Sequence, residues 1–319
     1  MAPRRKGIER AEYLARIAQM YYIDDMHQSE IAAKVGVTRS MISHLLAEAR
    51  ASGIVNINVV HPLRRDAQLA EGLQEAFDLK EAVVVSVDNQ MELVPTVAGA
   101  AAKILQRYLI PGVVIGTSWG SAVSKTIEAI ELERLTPDVT VVQLLGSLSG
   151  RLLEFDAHHH LQYLVNKVGG LGVYLNALFM LETKEVADIL KRDPSIRETL
   201  DYGGRSTVAV LGIGTTAKAE SSFYLSGYAT EDDLRQLTDE GTVGDVCGHF
   251  FNIDGKPSSL DYTARLIGIS LDQLMRIPAR LGIAGGPNKV EPIIGALRGG
   301  YVNMLVTDDM TARTILEDV

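Results

Sequence analysis

The stretch from Gln28 to Ala47, QSEIAAKVGVTRSMISHLLA, constrains the fold more than any other, because its apolar positions fall into two short helical stripes separated by a glycine. Ile31, Ala32 and Val35 form the first stripe, Ile42, Leu45 and Leu46 the second, and Gly36-Val37 turns the chain between them. That is the pattern of a helix-turn-helix. Ala32 is small enough for a second helix to cross closely, Gly36 accepts the positive φ of a sharp turn, and Thr38 can cap the second helix. Thr38, Arg39, Ser40, Ser43 and His44 are then left on the outer face. Short hydroxyls, one Arg and one His suit the floor of a DNA major groove, with Gln28 and a following wing positioning the module.

A generic helical hairpin carries the same two stripes, and charge separates the two readings. Between Met1 and Arg65 there are ten Lys and Arg against six Asp and Glu, a net of +4; the chain total of −9 leaves −13 for the rest. A small basic end on an acidic body is the asymmetry of a DNA-binding module joined to a domain with another task.

At 319 residues and 46% hydrophobic positions the chain can bury a large core and form two domains. The single Cys247 excludes an intrachain disulfide framework, and with seven scattered histidines no Cys/His zinc spacing arises. No apolar run approaches the ~20 residues needed to span a bilayer. The basic N-terminus leads into an amphipathic stretch rather than a signal sequence. These features predict a soluble, cytoplasmic protein without contact with a membrane.

Along the chain, Glu9 to Ile23 reads as a helix packed under the helix-turn-helix, and IVNINVV, Ile54 to Val60, as the strand of a wing. His61-Pro62 ends this DNA-binding domain at residues 1–62, and 63–319 forms the second domain, opening with a helical period from Leu63 to Leu79. From Glu81 onward short β-branched runs (82–87, 113–116, 139–146, 173–178, 206–214, 281–286, 302–308) alternate with helical periods (94–109, 121–133, 157–168, 290–297, 309–317). The alternation predicts an α/β fold with a parallel, helix-covered, Rossmann-like sheet, whose ligands sit at the carboxyl ends of the strands.

Three glycine-bearing loops fall at such ends. In GTSWGSAVSK a strand runs into Gly116, Thr117 and Ser118 follow, and Gly120 frees the backbone before a helix, which makes an anion site without the Walker spacing of nucleotide triphosphate binding. LGIGTTA fits GxGxxA, but no helical period follows and no acid closes a second strand about twenty residues on, so a dinucleotide is disfavoured and no cofactor is expected. IAGGPNK places Lys289 at a helix start, where an ammonium can meet a phosphate. The three consecutive histidines of FDAHHHLQ would point about 100° apart on a helix and cannot converge on one metal ion. Asp245, between glycines in GTVGDVCGHFFN, can accept hydrogen bonds from sugar hydroxyls or serve a turn.

The order and spacing of QSEIAAKVGVTRSMISHLLAEARASGIV, GTSWG, VVQLLGSL, LGIG, GTVGDVCGHFFNIDG, ISLDQLMRIPARLGIAGGPNK and VNMLVTDDMTA resemble the SorC family of bacterial sugar-responsive transcriptional regulators across nearly the whole chain. The resemblance implies a winged helix-turn-helix followed by an effector domain with the fold of sugar-phosphate isomerases and glucosamine-phosphate deaminase. Such a domain binds a sugar or polyol, usually phosphorylated, and assembles as a dimer or tetramer. It also implies an effector site at Thr117, Ser118, Gly120, Asp156, Asp245 and Lys289. An enzyme of the isomerase or deaminase type with a fused DNA-binding end is the rival reading. No acid-base pair has the spacing for catalysis, so a regulator acting on operator DNA is the expectation.

Overall fold

The apolar stripes of the N-terminal stretch close into three helices, α1 (Pro3–Tyr22), α2 (Gln28–Val35) and α3 (Arg39–Ala51). Leu14, Ile17 and Met20 of α1, Ile31 and Ala32 of α2, and Ile42, Leu45, Leu46 and Ala49 of α3 are all buried against one another. Gly36 ends α2 at φ 75°, its N–H bonded to the Ala32 carbonyl. The Thr38 hydroxyl accepts from the Met41 N–H at 3.2 Å and starts α3. An ion pair from Arg10 to Glu48, with Nε donating at 3.0 Å, ties α1 to α3. This computed structural model describes residues 3–55, 63–148 and 156–319, so most of the expected wing strand, Ile54 to Val60, lies outside the described residues. The chain divides into two units, Met1–Pro62 and Leu63–Val319.

The second unit is built on a sheet of seven parallel strands: β1 (Glu81–Val85), β2 (Val114–Thr117), β3 (Thr140–Gln143), β4 (Leu171–Val173), β5 (Val208–Gly212), β8 (Ala279–Ile283) and β9 (Met304–Asp308). Between β5 and β8 the chain adds an antiparallel hairpin, β6 (Thr242–Val246) and β7 (His249–Asn252). The strand order is β1-β9-β8-β5-β2-β3-β4. From β2 the chain runs outward through β3 and β4, then returns to lay β5 on the other side of β2. The carboxyl ends of β2 and β5 therefore flank a topological switch point, where such sheets leave a crevice for a ligand.

Both faces of the sheet are covered, which is why its strands read as continuous apolar runs. Val83, Val85, Val208, Val210, Leu281 and Val306 face a core shared with α5 (Leu93–Gln106), α6 (Ser121–Glu128) and α7 (Ala157–Val168). Their neighbours Ala82, Val84, Ala209, Leu211 and Leu305 face the opposite core. That core takes Leu73 from α4 (Ala67–Phe77), Leu200 from α9 (Pro194–Gly203), Leu234 from α11 (Glu231–Asp239), Ile293 from α14 (Val290–Arg298) and Ala312 from α15 (Asp309–Glu317).

Several boundaries differ from those expected. The helix anticipated from Leu63 begins at Ala67, because residues 63–66 first run along the edge of β1. There the Asp66 N–H donates to Val84, the Ser86 N–H donates to Arg64, and the Asp66 carboxylate then caps α4. Helix α6 ends at Glu128 rather than Glu133, where the Lys167 ammonium donates to the Glu128 carbonyl and, just past the helix, to that of Ile130. The segment 173–178 is strand only as far as Val173; beyond it the Gln143 side chain accepts the Leu175 N–H. Six helices lie outside the helical periods read from the sequence: α8 (Lys184–Lys191), α9, α10 (Ser222–Leu225), α11, α12 (Leu260–Arg265) and α13 (Leu271–Arg276).

Candidate effector and DNA-contact sites

The loop after β2 is held rigidly against β5. Ser118 donates from its hydroxyl to the Val210 carbonyl at 3.1 Å and accepts from the Gly212 N–H at 3.3 Å, so this one side chain bridges both lips of the switch point. Thr117 is fully buried, its hydroxyl directed at the Val142 carbonyl. Both hydroxyls are thus spent on the sheet. What the loop offers a ligand is its backbone: Gly120, at φ 127°, opens α6 with no side-chain cap, so the first-turn N–H groups and the positive end of the helix dipole are left without a side-chain acceptor.

His160 supports this loop from behind. It is buried on α7, in the same apolar stripe as Leu161 and Leu164, and its Nδ1 lies 3.2 Å from the Ser118 carbonyl. His158 and His159 are exposed, and among the described residues no group of three or more His, Cys, Asp or Glu could hold a metal ion. The histidine run thus contributed a positioning residue that the sequence reading passed over; its register with Leu164 was the available signal. Trp119 was passed over too. It stands edge-on to Phe179 at 5.1 Å and near Phe223 at 6.2 Å, giving the loop an aromatic floor.

Across the crevice, two charged groups converge on the loop after β5. Lys289, in the 3-10 turn preceding α14, donates from Nζ to the Ile213 carbonyl at 2.8 Å. Asp245, on β6 and 8% exposed, accepts from the Gly214 N–H through its backbone carbonyl at 2.8 Å and from the Gly248 N–H through its carboxylate at 3.1 Å. The carboxylate packs so closely over Gly214 that a Cβ there would fall 1.8 Å from Oδ1, so a side chain at this position would displace the carboxylate. Burial pushes the Asp245 carboxyl up to about 6, against the pull of the Gly248 N–H and of the Lys289 charge. Burial likewise lowers the Lys289 ammonium, with Asp245 and Glu220 opposing it. The hairpin that presents Asp245 turns at Cys247 (φ 51°) and Gly248 (φ 76°), two successive left-handed residues.

Asp156 has a different place. It caps α7, one carboxylate oxygen accepting from His158 N at 2.9 Å and the other from the Leu148 N–H, so both oxygens are committed to backbone. A groove of about 710 Å³ adjoins the site along the ends of β1, β8 and β9. Thr215, Thr216, Asn288 and Thr311 are among its lining, which includes no Lys, Arg or His.

In the N-terminal unit Arg39, Ser40, Ser43 and His44 are exposed on α3, and Gln28 begins α2. Thr38 is exposed as well, but its hydroxyl is engaged as the α3 cap.

The family model described as "Putative sugar-binding domain" matches residues 61–317. The sorbitol operon regulator of Klebsiella pneumoniae is 30% identical over 313 residues, covering 95% of this chain and 97% of its own length. The chain belongs to the SorC family of transcriptional regulators. Among solved SorC-family structures, the full-length sorbitol operon regulator SorC from Klebsiella pneumoniae superposes with a TM-score of 0.73 at 28% identity, covering 96% of this chain and 99% of that one. The deoxyribonucleoside regulator of Bacillus subtilis is 27% identical, covering 98% of this chain and 99% of the relative. As a SorC-family member the chain is a transcriptional regulator with a sugar-binding domain, and the α/β fold is the family's. Among the described residues no helix is long and apolar enough to cross a membrane.

Proposed function

We propose that this chain is a one-component, non-enzymatic regulator of a carbohydrate or polyol operon. On this reading the unit 1–62 binds operator DNA, and the unit 63–319 binds a small sugar, polyol or sugar phosphate and assembles the chain as a homodimer or homotetramer in the cytoplasm. The observation that carries the effector reading is the convergence of Lys289 and Asp245 on Ile213-Gly214, beside the open end of α6. An ammonium and a helix N-terminus favour an anion, while a carboxylate suits hydroxyl donors. The anionic end of the effector therefore lies at Gly120 and Lys289, on a loop shaped by Thr117 and Ser118, and its hydroxyls face Asp245. Asp156 supports the site as a helix cap.

On α3, Arg39, Ser40, Ser43 and His44 reach base edges, with Gln28 and Thr38 fixing the docking of the helix pair. The ligand alters DNA affinity only through its different affinity for the DNA-competent and DNA-incompetent arrangements.

The test is a thermal-shift screen of the full chain against sugars, polyols and their phosphates, since a binder of the native state raises its melting temperature. Hits are then titrated into a complex of the chain with its own promoter, and recovered afterwards for NMR. The expected result is a hit that shifts DNA affinity and is recovered unchanged. A hit converted to product identifies an enzyme instead, and hits without effect on DNA remove the regulatory coupling.

A further inference from the structure

Helix α3 completes its inward stripe with Ile42, Leu45, Leu46 and Ala49, yet it carries one more large apolar side chain, Met41, which is 50% exposed. The core does not need it, and an exposed thioether on a helix otherwise polar on its outer face gains nothing from water. Its position is fixed. The Met41 N–H is the group held by the Thr38 cap at 3.2 Å, so Met41 sits in the first turn of α3, between Ser40 and the Ser43-His44 pair. Side chains on a helix lean toward its N-terminus, which is the end a recognition helix presents to base edges.

In a major groove the one apolar feature among the base edges is the 5-methyl group of thymine. Flanking hydroxyl, imidazole and guanidinium groups can each meet a donor or acceptor on a base, but a methionine can meet only that methyl. Its three rotatable bonds and polarisable sulfur adapt to a methyl whose place varies with local twist.

We infer that Met41 is a specificity-determining residue that reads a thymine methyl in each half-site of the operator. The inference rests on the reading of α3 as the DNA-contacting helix. Covering one methyl that would otherwise stay wet gives about a fourfold preference for thymine over deoxyuridine at that position, and the effect multiplies over the half-sites bound.

The experiment uses the full chain and a duplex selected by it from a randomised library, alongside the same duplex with deoxyuridine in place of every thymidine. The replacement removes the methyl and keeps all Watson–Crick hydrogen bonding. Fluorescence anisotropy at fixed salt is run on the wild type, on Met41→Ala and on Met41→Gln, which keeps length and helix propensity. The wild type is expected to lose about fourfold or more on the deoxyuridine duplex, and both variants to bind the two duplexes within about twofold of each other. Single-position replacement then locates the methyl at one thymine per half-site. Equal methyl sensitivity in wild type and variants, or none in the wild type, overturns the assignment while leaving α3 as the DNA helix. Failure of the wild type to enrich any duplex overturns the DNA reading and this assignment together.

Discussion

The Lys289 ammonium donates to the Ile213 carbonyl at 2.8 Å, so a cation from the turn before α14 is held over the loop that follows β5. Its burial, which lowers its proton affinity, is opposed by Asp245 and Glu220. A phosphate arriving at the switch point would supply the compensating charge directly. Lys289→Ala is therefore expected to weaken a phosphorylated effector by roughly ten- to hundredfold, the range of a charge-assisted hydrogen bond, and its unphosphorylated parent far less. Calorimetric titration of both ligand forms decides it: equal losses would remove the phosphate from this position.

Ser118 makes a second expectation sharp. Its hydroxyl is the acceptor for the Gly212 N–H. In Ser118→Ala that half-buried donor loses this partner, at a cost of about 1 kcal/mol. Urea unfolding should show this as a lower midpoint at unchanged slope; an unaltered midpoint would mean that the bridge between β2 and β5 contributes nothing.

For Asp245 the prediction concerns pH. A carboxyl raised to about 6 in the native state and ordinary in the unfolded chain means that the folded protein holds the extra proton between about pH 4 and 6. Stability is then greatest below that window and falls as pH rises through it, by an amount on the order of 2 kcal/mol. Asp245→Asn should flatten this slope, since an amide can still accept from Gly248. The comparison to make is the urea midpoint at pH 4.5 and pH 7.0 for both proteins, and a slope of equal size in the variant would contradict the assignment.

In the N-terminal unit the fully buried Ile42 belongs to the apolar cluster that the three helices form. Ile42→Ala should cost about 2–5 kcal/mol there. If the two units fold independently, DNA binding is lost while the thermal shift produced by an effector persists. Loss of both would mean that the units are energetically coupled.

Arg39 is exposed on α3, in the turn that follows the Thr38 cap. Arg39→Ala should cost about 1–3 kcal/mol on a selected operator and relax sequence preference there. A titration in which both affinity and preference survive would exclude it from base reading.

The strands of the parallel sheet were legible because strands buried on two faces leave short β-branched runs such as VAVLG and MLVTD. The helix-turn-helix was legible because its stripes and its glycine are local. Other features depended on partners far along the chain. The Ser118 hydroxyl faces the sheet rather than a ligand because Val210 and Gly212 lie beside it, and these are 92 and 94 residues away in sequence, beyond any local reading of GTSWG. The aromatic floor of Trp119, Phe179 and Phe223 has no spacing a periodicity could reveal. Asp156 was different: an Asp directly before a helical run is a cap signal in its own right, and family likeness drew attention past it. The β6–β7 hairpin stayed hidden because Cys247-Gly248 is not one of the familiar turn pairs.

The arrangement of the sheet also sets a timetable. Strand β1 has a single neighbour within the sheet, and it is β9, joining residues 81–85 to 304–308. During synthesis the helix-turn-helix leaves the ribosome with the partners of its apolar stripes already made, whereas β1 waits for nearly the entire remaining chain before its partner exists. At roughly 5–20 residues per second that interval is on the order of ten seconds or more. Throughout it a nascent chain carries a closed three-helix unit ahead of an unfinished sheet, with apolar strand edges open to chaperones or to neighbouring chains.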